Sequence, residues 1–447
     1  MSSQQPNARL GQLLLEAGWN ATLLAHAVSS VASERGHDLT VNRSTATRWL
    51  AGAYPRPPAP AYILEALSRR LGRPLTAADA GLTRAPARIP DWSWKADPVH
   101  HLAKLTHSQL DPRRREPLRV DVYSLAALEV PNWEDLLSRT VTRRAGVMAG
   151  RRVGRAEVEA LQSMTAVFAA STSSFGGGHA RTALTTYLAD DVTPWLLSSA
   201  TEHVHRQLLT HTAQLTILLG NMCADDNDNA LAQHYHRTAA HLAAEAEDPH
   251  TYTIALRALA AHALDLGHRQ PALALTEQAA ATATHYSSPL AQSFTQSQLA
   301  LAHARANNRP RALLALHNAE ILHSHADQNL TDPFDNYPAA ALHYQRARTL
   351  TALKDHPAAA RAYSASLRAR APQARRARAL TTALLAESQL LQGNLEESLT
   401  SWKRFLIDYP GLRSTRATDS LTTMRQVLRP YSTHPDVALL TEEAATL

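Results

Sequence analysis

Hydrophobic side chains recur every three or four positions over most of the chain, which is the spacing of one face of an α-helix. Leu10, Leu13 and Leu14 form one such face, and Gly18 ends that helix. Long segments rich in Ala, Leu, Gln, Glu and Arg continue the pattern, whereas candidate strands such as 118–123 are isolated. The sequence therefore predicts an all-α protein.

Three more short helices are predicted in the N-terminal block. The second helix is capped by Asn20, a third begins near Arg43, and a fourth spans about 60–71. The residues expected to face the core are Leu23, Leu24, Ala27, Val28 and Val31 in the second helix and Ile63, Leu64 and Leu67 in the fourth. A stretch rich in proline and arginine follows Leu82, so we expect a domain boundary at 83–100.

The region 101–175 is less regular. The run 111–117 (Asp-Pro-Arg-Arg-Arg-Glu-Pro) is expected to break a helix, and new elements follow at 118–128 and at Pro131. We predict three parts: a small helical N-terminal domain over 1–82, a linker and helical connecting module over 83–175, and a helical repeat domain over 176–447.

Prolines recur at intervals in the C-terminal half. One series lies at Pro249, Pro289, Pro338, Pro372 and Pro410, and a second at Pro271, Pro310 and Pro357. Proline is favoured in the first turn of a helix and excluded from its interior, so each series is expected to mark one helix start of a two-helix unit. The spacing of 34–49 residues is typical of helical-hairpin repeats.

Small residues also recur inside these units. Gly267, Asn307 and Gly393 are each followed, five and twelve positions later, by residues that would pack two helices closely: Ala272 and Ala279, Ala312 and Ala319, Ser398 and Phe405. This pattern, together with Trp402 and Pro410, resembles the tetratricopeptide repeat. In the first unit Asp-Asp-Asn-Asp-Asn at 225–229 replaces the glycine turn. We predict a tetratricopeptide-like α-solenoid, with an irregular helical bundle as the alternative.

The third N-terminal helix lies in the segment 42–52 (Asn-Arg-Ser-Thr-Ala-Thr-Arg-Trp-Leu-Ala-Gly). Ala46, Trp49 and Leu50 are spaced i, i+3 and i+4 and are expected to face inward. The outer face is then polar and cationic, which suits the major groove, where Arg pairs with guanine, Asn with adenine, and Ser or Thr with bases or phosphates. The candidate DNA-binding residues are Asn42, Arg43, Ser44, Thr45, Thr47 and Arg48. Four arginines outside the segment are consistent either with phosphate contacts or with ordinary solvated charges: Arg56, Arg69, Arg70 and Arg73.

The segment Ser-Thr-Ala-Thr-Arg-Trp-Leu-Ala-Gly followed by Tyr-Pro-Arg-Pro-Pro resembles the recognition helix and following turn of Xre/Cro-type helix-turn-helix repressors. The stretch 20–28 is similar to the first helix of their motif, although 29–39 makes a longer connection than their tight turn. Segments 151–159 and 175–188 resemble the middle region of large actinobacterial regulators that carry a tetratricopeptide array. This resemblance implies a DNA-binding transcriptional regulator, expected to be a repressor.

Charge agrees with that implication. Residues 1–160 hold 22 Lys and Arg against 15 Asp and Glu, a net charge of +7, and the remainder has a net charge of −1. A basic N-terminal third followed by a nearly neutral remainder is typical of a nucleic-acid-binding domain joined to a domain with another function. The apolar runs are too short to cross a membrane, and a signal peptide is not indicated, so a cytoplasmic, nucleoid-associated protein is expected.

Enzymatic sites are weakly indicated. A single cysteine, Cys223, is interpreted as a buried thiol rather than a nucleophile. Three histidine pairs at i, i+2, His203/His205, His234/His236 and His323/His325, point about 200° apart on a helix and cannot chelate one ion. The run 175–179 (Phe-Gly-Gly-Gly-His) is interpreted as a turn between helices rather than a phosphate-binding loop. We expect no catalytic activity, metal or cofactor.

The repeat domain is expected to bind an effector, which could be a peptide, a small molecule or a protein. If Gly267, Asn307 and Asp355 are equivalent turns, Arg257, Ser297 and Gln345 share one position of each first helix. They are the candidate effector-binding residues, with simple surface exposure as the alternative. A small helix-turn-helix domain usually binds DNA as a dimer, so a homodimer on double-stranded DNA is predicted. The alternative function is a protein-interaction scaffold without DNA binding.

Overall fold

The structure is a computed structural model and describes residues 5–34, 39–73, 75–82, 94, 96–119, 122–140, 152–326, 334 and 336–447. Within these ranges the chain is helical, and the only extended pairing is an isolated bridge between Arg152 and Ser199. The predicted all-α fold, with consecutive helices packed as in a solenoid, is confirmed. None of the helices formed by the described residues is long and apolar enough to cross a bilayer.

The first half of the chain contains mostly shorter helices than the second half. The N-terminal block contains α1 (Ala8–Ala17), α2 (Ala21–Ser33), α3 (Arg43–Leu50) and α4 (Ala59–Leu71). The middle region contains α5 (Pro98–Leu110), α6 (Pro112–Arg119), a 3₁₀ turn (Ala126–Leu128), α7 (Trp133–Thr140), α8 (Arg155–Phe175), α9 (Gly177–Tyr187), a π turn (Leu188–Val192) and α10 (Thr193–Leu196).

The C-terminal half is a series of longer helices. They are α11 (Glu202–Asp225), α12 (Asn229–Glu245), α13 (Pro249–Asp265), α14 (Arg269–Tyr286), α15 (Pro289–Arg305), α16 (Arg309–Ser324), α17 (Ala339–Ala352), α18 (His356–Ala369), α19 (Arg375–Leu390), α20 (Leu395–Asp408), α21 (Thr415–Leu428), a 3₁₀ turn (Arg429–Tyr431) and α22 (Pro435–Ala445).

The candidate strand at 118–123 does not form in the described residues. The run 111–117, which was expected only to break a helix, ends α5 and also forms most of α6. Pro112 is tolerated there because it occupies the first turn of α6, where its missing N–H would have no helical partner. Helix α6 continues to Arg119, and residues 120 and 121 lie outside the described ranges.

The chain packs into two compact units. The first comprises Met1–Ala96, Asp111–Val130 and Asn229–Leu231, and the second comprises Asp97–Leu110, Pro131–Asp228 and Ala232–Leu447. The boundaries drawn from the sequence, after 82 and after 175, stay predictions. Most of the predicted linker (83–93 and 95) and Arg151 lie outside the described residues.

The core of the first unit is formed by α1 to α4. Leu10, Leu13 and Leu14 are buried, as predicted, and Gly18 ends α1 at a φ of 66°. The side-chain oxygen of Asn20 accepts hydrogen bonds from two backbone N–H groups at the start of α2, which confirms the predicted cap.

The predicted inner face of α2 was wrong at one position. Leu23 is 48% exposed, whereas Ala25 and Ala32 are buried together with Leu24 and Val28. Helix α2 packs against both α3 and α4, so its buried face is broader than a single stripe and is displaced from Leu23.

A buried carboxylate joins α4 to two neighbouring segments of the same unit. Glu65 is 4% exposed, accepts the backbone N–H of Leu125 at 3.0 Å, and pairs with Arg69 at 2.6 Å. Arg69 also pairs with Glu34, just after α2, at 2.8 Å. Burial raises the pKa of Glu65, and Arg69 opposes that rise.

Consecutive helices of the second unit form hairpins, and the best packed are α13–α14, α15–α16, α17–α18 and α19–α20. The predicted turn residues Gly267, Asn307 and Gly393 have positive φ values of 87°, 61° and 82°. The small or aromatic residues expected to pack these hairpins are fully buried: Ala272, Ala279, Ala312, Ala319, Ser398 and Phe405. The prediction of a helical-repeat array is confirmed.

The proline prediction holds for most members of the two series. Pro249 and Pro289 are the first residues of α13 and α15, and Pro310 and Pro357 are the second residues of α16 and α18. Pro338 directly precedes α17. Pro372 and Pro410 instead lie in the loops before α19 and α21.

The turn between α17 and α18 was predicted one residue too late. Lys354, and not Asp355, has the left-handed φ of 62°, while Asp355 accepts the backbone N–H of Ala358 as the cap of α18. Counting from Lys354 places buried Ala359 and Ser366 five and twelve positions on, in agreement with the other units. The residue equivalent to Arg257 and Ser297 is then Tyr344 rather than Gln345.

Candidate functional site

Helix α3 presents the cationic outer face that the sequence predicts. Arg43, Ser44, Thr47 and Arg48 are exposed, and Thr45 is half-buried. Neither arginine forms an ion pair within the described part of the chain. This face is therefore accessible, and no carboxylate among the described residues neutralises its positive charge.

The inner side of α3 is anchored in the core of the first unit. Ala46 is fully buried and Trp49 is 6% exposed, as predicted, and Leu50 is half-buried. The carbonyl of Leu50 accepts the N–H of Asn7 at 2.9 Å, which ties the end of α3 to the start of α1. These contacts fix the direction in which the outer face points.

Asn42 is exposed and caps α3. Its Oδ1 accepts the backbone N–H of Thr45 at 2.9 Å and the hydroxyl of Ser44 at 2.8 Å. Its side-chain oxygen is thus engaged in starting the helix, whereas base recognition was the role expected for this residue.

Local hydrogen bonds also order the face. The Thr47 hydroxyl donates to the carbonyl of Arg43 at 2.9 Å, and Arg48 Nη2 donates to Thr45 Oγ1 at 3.2 Å. The guanidinium of Arg48 accordingly lies along the helix surface, with its remaining N–H groups available to a partner.

The four arginines outside α3 differ among themselves. Arg69 is held between Glu34 and Glu65, Arg70 donates to the carbonyl of Ala17 at 2.8 Å, and Arg73 pairs with Glu16 at 2.9 Å. These three stabilise the unit internally. Arg56 is exposed in the loop after α3, and no ion pair of Arg56 is found among the described residues.

In the second unit, the three candidate effector residues are buried or half-buried in the helical array. Ser297 is fully buried, Gln345 is 6% exposed, and Arg257 is half-buried. The alternative that they are simply exposed is excluded. They sit on α13, α15 and α17, the first helices of successive hairpins.

Three further residues, which the sequence analysis missed, bring these side chains together. The guanidinium carbon of Arg257 lies 3.5 Å from the centre of the Phe294 ring, and that ring stacks on Tyr337 with centroids 4.3 Å apart. Gln345 Nε2 donates to Gln298 Oε1 at 2.9 Å. We call this set the Arg257 cluster: Arg257, Phe294, Ser297, Gln298, Tyr337 and Gln345.

The polar atoms of the Arg257 cluster are incompletely paired. Three buried atoms have no hydrogen-bond partner among the described residues: Arg257 Nε, Gln298 Nε2 and Gln345 Oε1. Burial lowers the pKa of Arg257 to about 10, and the only opposing influence is the hydroxyl of Tyr337. A guanidinium with this pKa is still protonated at neutral pH, so the cluster holds a buried positive charge that no carboxylate of the described residues balances.

The glycine-rich run at 175–179 forms a turn between α8 and α9, as predicted. The backbone N–H of Gly177 donates to Asp225 at 2.8 Å, and that of Gly178 donates to the carbonyl of Arg413 at 2.9 Å. A Cβ on Gly177 would lie 2.7 Å from the carbonyl oxygen of Met222, which explains the need for glycine. The start of α9, where a phosphate would bind, is occupied by a protein carboxylate.

Cys223 and the histidine pair on α12 lie in the packed interior of the second unit. Cys223 is buried and free, and burial raises the pKa of its thiol to about 12, which agrees with an inert thiol. His234 and His236 face different neighbours, the rings of His101 and His262 respectively. The described residues contain no group of three His, Cys, Asp or Glu side chains arranged to hold a metal ion.

The first unit resembles a known protein family. Residues 10–83 match a family model described as the SP15 N-terminal domain, a stretch that covers most of α1 and all of α2 to α4. A comparison with curated proteins gave no match.

Proposed function

We propose that the chain is a sequence-specific DNA-binding transcriptional regulator in which α3 is the recognition helix. The observation that carries the proposal is the outer face of α3. Arg43 and Arg48 are exposed there and have no carboxylate partner in the described part of the chain, while Ala46 and Trp49 fix the helix in the core. An α-helix with its side chains is about 10–12 Å across, so α3 can enter the major groove, which is about 12 Å wide.

The residues of this face have distinct expected roles. Arg43 and Arg48 are the base-reading or phosphate-pairing cations, and Ser44 and Thr47 supply hydroxyls of the length that reaches bases or phosphates. Thr45 positions Arg48 through their hydrogen bond, and Asn42 sets the start of the helix. Resemblance to Xre/Cro-type repressors supports the same assignment and favours repression.

The second unit is proposed to bind an effector and to dimerise the protein. A single small DNA-binding module buries about 600–1,000 Å² on DNA, which favours two copies on two half-sites. The helical hairpins of a solenoid present extended surfaces suited to such contacts. The proposed setting is the cytoplasm, with the DNA-bound form on the nucleoid.

Selection from a pool of random double-stranded oligonucleotides with the full chain tests the proposal. We expect an enriched sequence whose binding weakens steeply between about 50 mM and about 200 mM salt, since bound phosphates release counter-ions. The variant Arg43→Ala/Arg48→Ala should lose at least about tenfold in affinity for the enriched sequence and most of its preference over random DNA.

The matched control is Lys403→Ala/Arg404→Ala, which removes the same charge from exposed positions of α20. It should bind the selected DNA as the unaltered chain does. If no sequence is enriched, or if the α3 variant binds like the control variant, DNA recognition by α3 is refuted, and a protein-interaction scaffold becomes the better account of the helical array.

A further inference from the structure

The Arg257 cluster is a buried cationic position for which the described residues provide no counter-ion. Removing a guanidinium from water is costly unless an anion or several hydrogen bonds replace its hydration. Several other half-buried arginines of the second unit are paired with carboxylates: Arg376 contacts Asp225, Arg348 contacts Asp265 at 2.6 Å, and Arg181 contacts Asp228 at 2.5 Å. Among the described residues, Arg257 instead lies against the face of Phe294 and has no carboxylate partner.

The surroundings of Arg257 are rich in donors. Gln298 lies one helical turn after Phe294 on α15, so the two side chains share a face of that helix. Its unpaired Nε2 and the hydroxyl of Tyr337 can both donate, as can the free edges of the guanidinium. Ser297, whose hydroxyl donates to the carbonyl of Ser293 at 2.9 Å, closes the interior side.

We infer that the Arg257 cluster is the binding site for a carboxylate group of the effector, with Arg257 as its charge partner and Gln298 and Tyr337 as additional donors. The planar fork of a guanidinium matches the two oxygens of a carboxylate. One cation also balances the single charge of a carboxylate, whereas a phosphate dianion calls for more than the one cation that the cluster contains.

Access to the site is through its half-buried members. Arg257 and Phe294 retain exposed surface, while Ser297, Gln298 and Tyr337 are at most 1% exposed. A ligand would therefore place its carboxylate inward and the rest of its structure against the outer side of the cluster. The carboxylate could belong to the C-terminus of a peptide or to a small organic acid, which share this chemistry.

The inference rests on the proposed function only in naming the ligand an effector, because its test requires no DNA. Calorimetric titration and thermal unfolding of the full chain would use three probes: benzoate, the tripeptide Ala-Ala-Phe with a free C-terminus, and the same tripeptide with an amidated C-terminus. We expect benzoate or the free tripeptide to bind and to raise Tm. Amidation should weaken tripeptide binding at least about tenfold.

The variant Arg257→Met keeps the length of the side chain and removes its charge. It should lose at least about tenfold in affinity for the carboxylate that binds, whereas Arg346→Met should bind normally, because Arg346 lies on α17 with Glu320 already as its partner. Without ligand, Arg257→Met should unfold at the same Tm or a higher one, since an unpaired buried charge has been removed.

The outcomes are distinct. Binding of benzoate alone identifies an organic acid as the source, and binding of the free tripeptide alone identifies a peptide C-terminus. The inference is overturned if neither carboxylate raises Tm in the unaltered chain, if Arg257→Met binds as well as Arg346→Met does, or if Arg257→Met is clearly less stable than the unaltered chain. None of these results tests DNA recognition by α3. That proposal is refuted only by the DNA selection experiment, so the two failures can be distinguished.

Discussion

The backbone N–H of Gly177, the first residue of α9, donates to the carboxylate of Asp225 at the end of α11 with a distance of 2.8 Å. The same carboxylate accepts the Ser414 hydroxyl at 2.9 Å and pairs with Arg376 through two N–H groups. Asp225 is 1% exposed. One buried side chain thus joins the beginning of the helical array to its last hairpins, and the stability of the array should depend on it.

Asp225→Asn should therefore destabilise the second unit by about 3 kcal/mol, because it removes the charge that balances Arg376 while leaving the other donors in place. Urea unfolding followed by far-UV circular dichroism would measure the loss. Asp190→Asn, at an exposed position after α9, is the matched control and should change stability little. Equal stability of both variants would contradict the role given to Asp225.

A pH dependence follows from the same residue. Arg376 and the hydrogen bonds hold the pKa of Asp225 below its ordinary value despite burial. A carboxyl with a lowered folded-state pKa stabilises the fold above its ordinary pKa, and this contribution is lost as the pH falls through the folded-state value. The unaltered chain should lose Tm more steeply than Asp225→Asn below about pH 4. Parallel Tm curves would argue against the pairing.

The turn at Lys354 offers a test of the corrected repeat register. A left-handed φ costs a non-glycine residue about 1 kcal/mol, so Lys354→Gly should leave stability unchanged or raise it by up to about 1 kcal/mol. Asp355→Gly should lower stability, because it removes the side chain that caps α18. Chemical unfolding of the two variants compares neighbouring positions directly. The opposite order would restore Asp355 as the turn residue.

Asn42 can be separated into its structural and its DNA-binding contributions. Asn42→Ala should cost about 1 kcal/mol of stability through loss of the cap. Asn42→Asp keeps a capping oxygen and should keep stability, but its negative charge at the start of α3 should weaken binding of the selected DNA. Thermal unfolding and fluorescence anisotropy on both variants would show the difference. Unchanged DNA affinity in Asn42→Asp would place the start of α3 away from the phosphates.

Local signals in the sequence were sufficient to predict the helices, and also those turns that are formed by glycine or asparagine. The i, i+3 spacing of Ala46 and Trp49 identified the inner face of α3, and the recurring prolines and small residues identified the hairpins. Lys354 was missed because lysine has no intrinsic preference for a left-handed φ, and the neighbouring Asp355 has the stronger turn signal. Leu23 was misplaced because α2 packs against two helices at once.

The Arg257 cluster could not be assembled from the sequence. Ser297 and Gln345 were predicted as polar residues at equivalent positions of successive hairpins. Periodicity within one helix does not show that neighbouring helices bury those positions. Tyr337 lies 80 residues from Arg257 in the sequence, and Phe294 has the pattern of an ordinary apolar core position. Only the packing of α13, α15 and α17 brings the guanidinium over the aromatic ring.

The contact of Asp225 with Ser414, 189 residues away, also bears on how the molecule can change. In an open repeat protein each hairpin touches only its neighbours, so units can be deleted, duplicated or unfolded one at a time. Here the first and last hairpins share a buried anion. Deleting hairpins from the C-terminal end would remove Arg376 and Ser414 and leave the Asp225 carboxylate buried without them. We therefore expect the hairpins to unfold in one cooperative transition, and we expect their number to vary little in evolution.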